Sequence, residues 1–140
     1  MNTALFDTSV YINALRGDQA ALFSMRHLEK ATPIWLSSVV LEELYAGASP
    51  RDRDVLERLE SDFAKGRRIL VPNLRDWTET GKVLARLGDK HGYEQIGKGR
   101  LTNDGLIAMS AGRVGVTVIT ANARDFARLA EFHSFNWSQL

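Results

Sequence analysis

The chain has 140 residues, a net charge of +1 at pH 7 and no cysteine. That length fits one domain spanning residues 1–140, which buries roughly 70% of its unfolded surface and needs no covalent staple. The missing cysteine excludes disulfides, thiol nucleophiles and thiolate-held zinc or iron–sulfur centres, and it fits a reducing compartment.

The opening MNTALFDTSV has no basic stretch ahead of a long apolar run, unlike a secretory leader. No run reaches the roughly 18 apolar residues of a membrane span. The expectation is a cytoplasmic protein with no membrane role. In chain order, Ala4-Leu5-Phe6 reads as a first strand and Ser9 to Leu15 as a short helix closed by Gly17. Asp18 is placed to cap a helix through Glu29. Ile34-Trp35-Leu36 reads as a second strand, and Ser37 or Ser38 caps a helix ending near Gly47. Pro50 opens a charged helix to about Lys65, with Val55, Leu56, Leu59 and Phe63 as its apolar stripe.

Ile69-Leu70-Val71 is the third expected strand. A helix marked by Trp77, Leu84 and Leu87 runs to Gly88 or Gly92, and the polar stretch from His91 to Arg100 reads as a loop. Thr102 to Gly112 is a further helix, Val116 to Thr120 a β-branched strand, and Arg124 to Ala130 a short helix before a weak strand near Phe135. Strands alternating with helices imply an α/β fold with a mainly parallel sheet covered on both faces. Ligands in such sheets bind beyond the carboxyl ends of the strands.

Four acids stand near those ends. Asp7 follows the first strand, where a plain reading makes it the cap of the next helix. Glu43 lies among Val39, Val40, Ala46 and Gly47 on its helix, so its charge needs a partner or a metal if that face is buried. Asp104 sits in a first helical turn, with Thr102 as a candidate cap, where the helix dipole alone accounts for an acid. Asp125 follows the strongest strand, and Asn122 with Asp125 has the spacing of a capping box. Each acid alone has that ordinary explanation. Three in one cleft at roughly 5 Å would repel by about 3 kcal/mol per pair at an effective dielectric near 20. Such a cluster persists when it holds a cation, and oxygen ligands suit Mg²⁺ or Mn²⁺.

Other chemistries fit less well. His27, His91 and His133 have no zinc-ligand spacing. There is no G-x-S-x-G elbow, phosphate-binding P-loop or G-x-G-x-x-G. A phosphatase of the aspartyl-phosphate kind needs a second Asp two positions after the first, where this chain has Ser9. Between Gly97 and Arg128, Lys98, Arg100, Arg113, Arg124 and Arg128 outnumber Asp104 and Asp125. That balance suits a polyanion or an ordinary solvated surface.

Four segments carry a resemblance to a known family: Leu5-Phe6-Asp7-Thr8-Ser9, the run from Ser38 to Gly47 ending in E-L-x-x-G, Asn103-Asp104-Gly105-Leu106-Ile107-Ala108, and Val118 to Phe126 with its T-x-N-x-x-D-F pattern. In order and spacing the chain resembles the PIN-domain family, and within it the VapC-like toxins of bacterial toxin–antitoxin pairs. The resemblance implies a three-layer α/β/α sandwich and, often, a homodimer. It implies metal-dependent hydrolysis of RNA, with Mg²⁺ or Mn²⁺ held by Asp7, Glu43 and Asp104, and it selects Glu43 over Glu42. Many relatives carry Asp where this chain has Asn122, so the fourth acid lies between Asp125 and a role for Asn122. Thr8, Ser9, Thr120 and Asn122 are expected to orient water or phosphate. Lys98, Arg100, Arg124 and Arg128 are expected to meet flanking phosphates. A cognate antitoxin is the expected protein partner. The alternatives are an inactive binding module and a nuclease acting on DNA.

Overall fold

The computed structural model describes residues 2–94 and 101–140. Five strands form one parallel sheet: β1 (Ala4–Phe6), β2 (Ile34–Ser37), β3 (Ile69–Leu70), β4 (Thr117–Thr120) and β5 (Trp137–Gln139), in the order β3-β2-β1-β4-β5. The helices are α1 (Thr8–Leu15), α2 (Gln19–Ala31), α3 (Ser38–Gly47), α4 (Pro50–Lys65), α5 (Leu74–His91), α6 (Leu101–Val114) and α7 (Ala123–Ala130). They flank the sheet in a three-layer α/β/α arrangement. Leu5, Phe6, Leu36 and Val118 are fully buried at its centre, as expected of strands covered on both faces.

Local chemistry sets the boundaries. Asp18 caps α2 by accepting from the Ala21 amide at 3.1 Å, and Ser37 caps α3 by accepting from Val39. At α5 the Asn73 side chain accepts from the Asp76 amide while Asp76 accepts from the Asn73 amide, a reciprocal box. Gly115, at φ +74, takes the left-handed conformation that ends α6 and turns the chain into β4.

The structure corrects several expected details. The last strand lies at Trp137–Gln139, not at Phe135, whose ring packs edge-on against Phe126 instead. The third strand ends at Leu70, leaving Val71 exposed. Thr102 is inside α6, which already begins at Leu101, and so is not its cap. Asn122 stands at the N-cap of α7 but makes no side-chain cap bond, so the expected box with Asp125 does not form. Val55 and Trp77 are exposed, because Leu56 on α4 and Val83 and Leu87 on α5 face the core. Lys98 and Arg100 lie outside the described residues, as does most of the expected loop. Among the described residues no helix is long and apolar enough to cross a membrane.

Candidate active site

Chain order and strand order diverge at β1. From it the chain builds outward through β2 and β3, then returns to place β4 on its other side. The carboxyl ends of β1 and β4 therefore flank a topological switch point, where the two connections part and leave a crevice. Asp7 leaves β1 there, its amide donating to the Ile119 carbonyl at 2.9 Å.

Asp7 is 4% exposed. Its Oδ1 accepts from the Ser9 hydroxyl at 2.5 Å and, more weakly, from the Val10 amide at 3.4 Å. Its Oδ2 accepts from the Thr120 hydroxyl at 2.7 Å. Both hydroxyls are held in turn: Ala121 N donates to Ser9 Oγ at 3.1 Å and Asn122 N donates to Thr120 Oγ1 at 2.9 Å. Asp7 thus caps α1 and is also gripped from β4, so the ordinary capping role and a site role coexist in one side chain. Burial pushes its carboxyl above the ordinary range, and the Ser9, Thr120 and backbone hydrogen bonds oppose that rise.

Glu43 is half-buried on α3 and accepts from the Thr8 hydroxyl at 2.7 Å. Glu42 is exposed beside it and accepts from the Asn103 amide at 3.4 Å. The helix thus turns Glu43, and not Glu42, toward Asp7's neighbour. Asp104 in the first turn of α6 and Asp125 in the first turn of α7 are both half-buried.

The four acids line one cavity of about 180 Å³, together with Thr8, Ser9, Ile12, Asn122 and Phe126. Its donors are oxygens, which match a hard divalent cation. Among the described residues no three acidic or histidine side chains converge tightly enough to grip one ion directly. An octahedral Mg²⁺ that keeps several waters and takes one or two carboxylates is compatible with that spacing. Asp7, Glu43 and Asp104, which all line the cavity, are the residues that would hold it.

Three of the four polar residues expected to face water or phosphate are turned to the acids: Thr8 to Glu43, and Ser9 and Thr120 to Asp7. Asn122 is exposed at the rim. Of the basic residues, Arg124 is exposed and Arg128 half-buried on α7. Arg113 is committed elsewhere: its Nε and Nη2 both lie 3.0 Å from Oδ2 of the buried Asp76.

Sequence reasoning missed Ile12 and Phe126 in the cavity wall, although Ile12 lies one helical turn beyond Thr8. It also missed an adjoining groove of about 470 Å³, where Ile12, Leu15, Leu44 and Ala48 meet Arg16, Glu42, Glu43 and Asp52. Ile12 and Glu43 belong to both hollows, so the groove runs into the acidic cavity.

The PIN domain family model matches residues 4–132. No curated protein matches the chain. Among solved structures, the chain resembles a DNA-bound VapBC from Salmonella typhimurium at a TM-score of 0.70 and 23% identity, covering 99% of this chain and 98% of that one. It also resembles VapBC2 from Rickettsia felis bound to a DNA fragment from its promoter, at 0.68 and 23%, with the same coverage. FitAcB from Neisseria gonorrhoeae matches at 0.61 and 25% identity, covering 96% of this chain and 97% of that one. With the family model spanning nearly the whole sheet and its helices, the chain belongs to the PIN-domain family.

Proposed function

We propose that this protein is a Mg²⁺- or Mn²⁺-dependent endoribonuclease acting as the toxin of a toxin–antitoxin pair. The observation that carries this reading is the convergence of Asp7, Glu43, Asp104 and Asp125 on one cavity at the switch point of the sheet. A divalent ion held by these acids would supply charge stabilisation for a phosphodiester and would lower the pKa of an attacking water. The protein's own residues do the positioning. Ser9 and Thr120 fix both oxygens of Asp7, Thr8 fixes Glu43, and the first turns of α6 and α7 bring Asp104 and Asp125 to the same cavity. Arg124 and Arg128 on α7 are suited to flanking phosphates, and single-stranded or looped RNA presents those phosphates with its bases splayed.

A nuclease of this kind needs an inhibitor. The groove beside the cavity is apolar along Ile12, Leu15, Leu44 and Ala48, and its charged lining is net acidic, with Glu42, Glu43 and Asp52 against Arg16. It fits an antitoxin segment with apolar side chains and an arginine, whose guanidinium pairs with carboxylates in a fork. The exposed apolar residues Val71, Leu74 and Trp77 support a homodimer through that face. The test is growth after induction of wild type, Asp7→Ala and Glu43→Gln without a partner, with the ends of cut RNA sequenced and plasmid DNA scored in parallel. Growth arrest and new RNA ends in the wild type alone support the proposal. Normal growth with soluble wild-type protein contradicts it, and cuts confined to DNA contradict the choice of RNA.

A further inference from the structure

Gly105 occupies a costly position. A glycine inside a helix is less favourable than alanine, and Gly105 lies in the first half of α6. The reason for it is steric. A Cβ built on Gly105 falls 2.6 Å from Thr80 Cγ2 on α5, far inside van der Waals contact, so the α6 backbone rests directly on that methyl. Thr80 is 2% exposed and its hydroxyl has no hydrogen-bond partner among the described residues. A buried orphan hydroxyl is itself unfavourable, which leaves the methyl contact as what Thr80 contributes here.

We infer that Gly105 and Thr80 are a positioning pair, whose direct backbone-to-methyl contact sets where Asp104 stands in the acidic cavity. Asp104 is the residue before Gly105 and lines the cavity, whereas no α5 residue does. α5 acts only from behind. It packs along much of α6, with the Thr80 methyl against Gly105 and Asp76 against Arg113 at 3.0 Å further along. A Cβ at position 105 forces Thr80 or α6 to shift, and a shift of the first half of α6 carries Asp104 with it. The effect is transmitted through Asp104, so neither residue touches the reacting atoms. This inference rests on the reading of Asp104 as a metal-holding acid.

The test is Mn²⁺ titration, followed by electron paramagnetic resonance, of folded wild type, Gly105→Ala, Thr80→Ser, the double variant and Asp104→Asn. Melting temperatures are taken in EDTA. Gly105→Ala should bind Mn²⁺ on the order of tenfold more weakly, the scale at which residues behind metal ligands act. Thr80→Ser deletes the offending methyl, so it should bind nearly normally and should restore binding when combined with Gly105→Ala. A merely structural role would lower the melting temperature and leave the affinity of the folded protein unchanged. If Gly105→Ala does not fold, Thr80→Ile presses on Gly105 from α5 and should weaken binding in the same way. Wild-type affinity in folded Gly105→Ala, or failure of the double variant to recover, overturns the inference. Mn²⁺ binding that is absent in wild type, or survives Asp104→Asn, overturns the metal role of Asp104 and the inference with it.

Discussion

Thr120 donates its hydroxyl to Asp7 Oδ2 at 2.7 Å, joining residues 113 positions apart. The bond closes the carboxyl end of β4 onto that of β1 and leaves the buried acid with both oxygens occupied. Thr120→Val keeps the shape and removes the donor. It should cost about 1–3 kcal/mol in metal-free protein at neutral pH, the penalty for a buried acceptor left unpaired, and it should slow cleavage. Thr120→Ser, which keeps the hydroxyl, should lose little of either. Thermal melts and cleavage rates of the two variants check this. Equal behaviour of Val and Ser would show that the bond contributes nothing.

Asp7→Asn separates catalysis from stability. Burial raises the Asp7 carboxyl above its ordinary 3.8, so the folded state holds its proton more tightly than the unfolded one. Stability from this group is therefore full below 3.8 and is lost as pH rises through the raised folded value. In EDTA, the melting temperature of wild type should fall relative to Asp7→Asn across that window, while the variant cleaves nothing. A wild type that gains on the variant as pH rises would mean that Ser9, Thr120 and the α1 amides outweigh desolvation.

Arg113 should behave as a structural residue. Its guanidinium neutralises Asp76, which is 2% exposed and already holds the cap of α5. Arg113 is one-third exposed at 33%, so water offsets part of the loss. Arg113→Ala should destabilise by about 2 kcal/mol and leave RNA affinity per folded molecule unchanged. Urea melts and binding titrations check the two halves. A drop in affinity without a change in stability would move Arg113 to the RNA surface.

Arg124 and Arg128 should behave in the opposite way. If each meets a phosphate, replacing one by glutamine should weaken binding to single-stranded RNA and reduce the slope of log affinity against log salt by roughly 0.7. Filter binding across a salt series reads the slope. An unaltered slope in both variants assigns them to ordinary solvated surface.

The sheet was legible in the sequence because its strands are short β-branched or apolar runs. Ala4–Phe6 and Ile34–Leu36 match the structure closely, and so do the caps Asp18 and Ser37. The strand at Trp137–Gln139 was misplaced because its residues are mostly exposed and Phe135 is the stronger apolar signal. Trp77 misled for the converse reason, a large apolar side chain left on the surface of α5. Asp7, Asp104 and Asp125 were visible as residues after strands or in first turns, and Glu43 as an acid among apolar and small neighbours on its helix. Their hydroxyl partners were visible as residue types, but not as partners. Thr120 to Asp7 and Thr8 to Glu43 are tertiary pairings that no local spacing encodes. The closeness of Gly105 to Thr80 was hidden in the same way, because a crossing of two helices has no signature along either one.

The most direct test is cleavage of single-stranded RNA by purified protein, first in EDTA and then after Mg²⁺ or Mn²⁺ is restored, with Asp7→Asn and Asp104→Asn in parallel. Cleavage should be absent in EDTA, return with either ion in the wild type, and stay absent in both variants. Cleavage that persists in EDTA, or that Asp7→Asn performs at the wild-type rate, would contradict the assignment of this acidic cavity as a metal-dependent nuclease site.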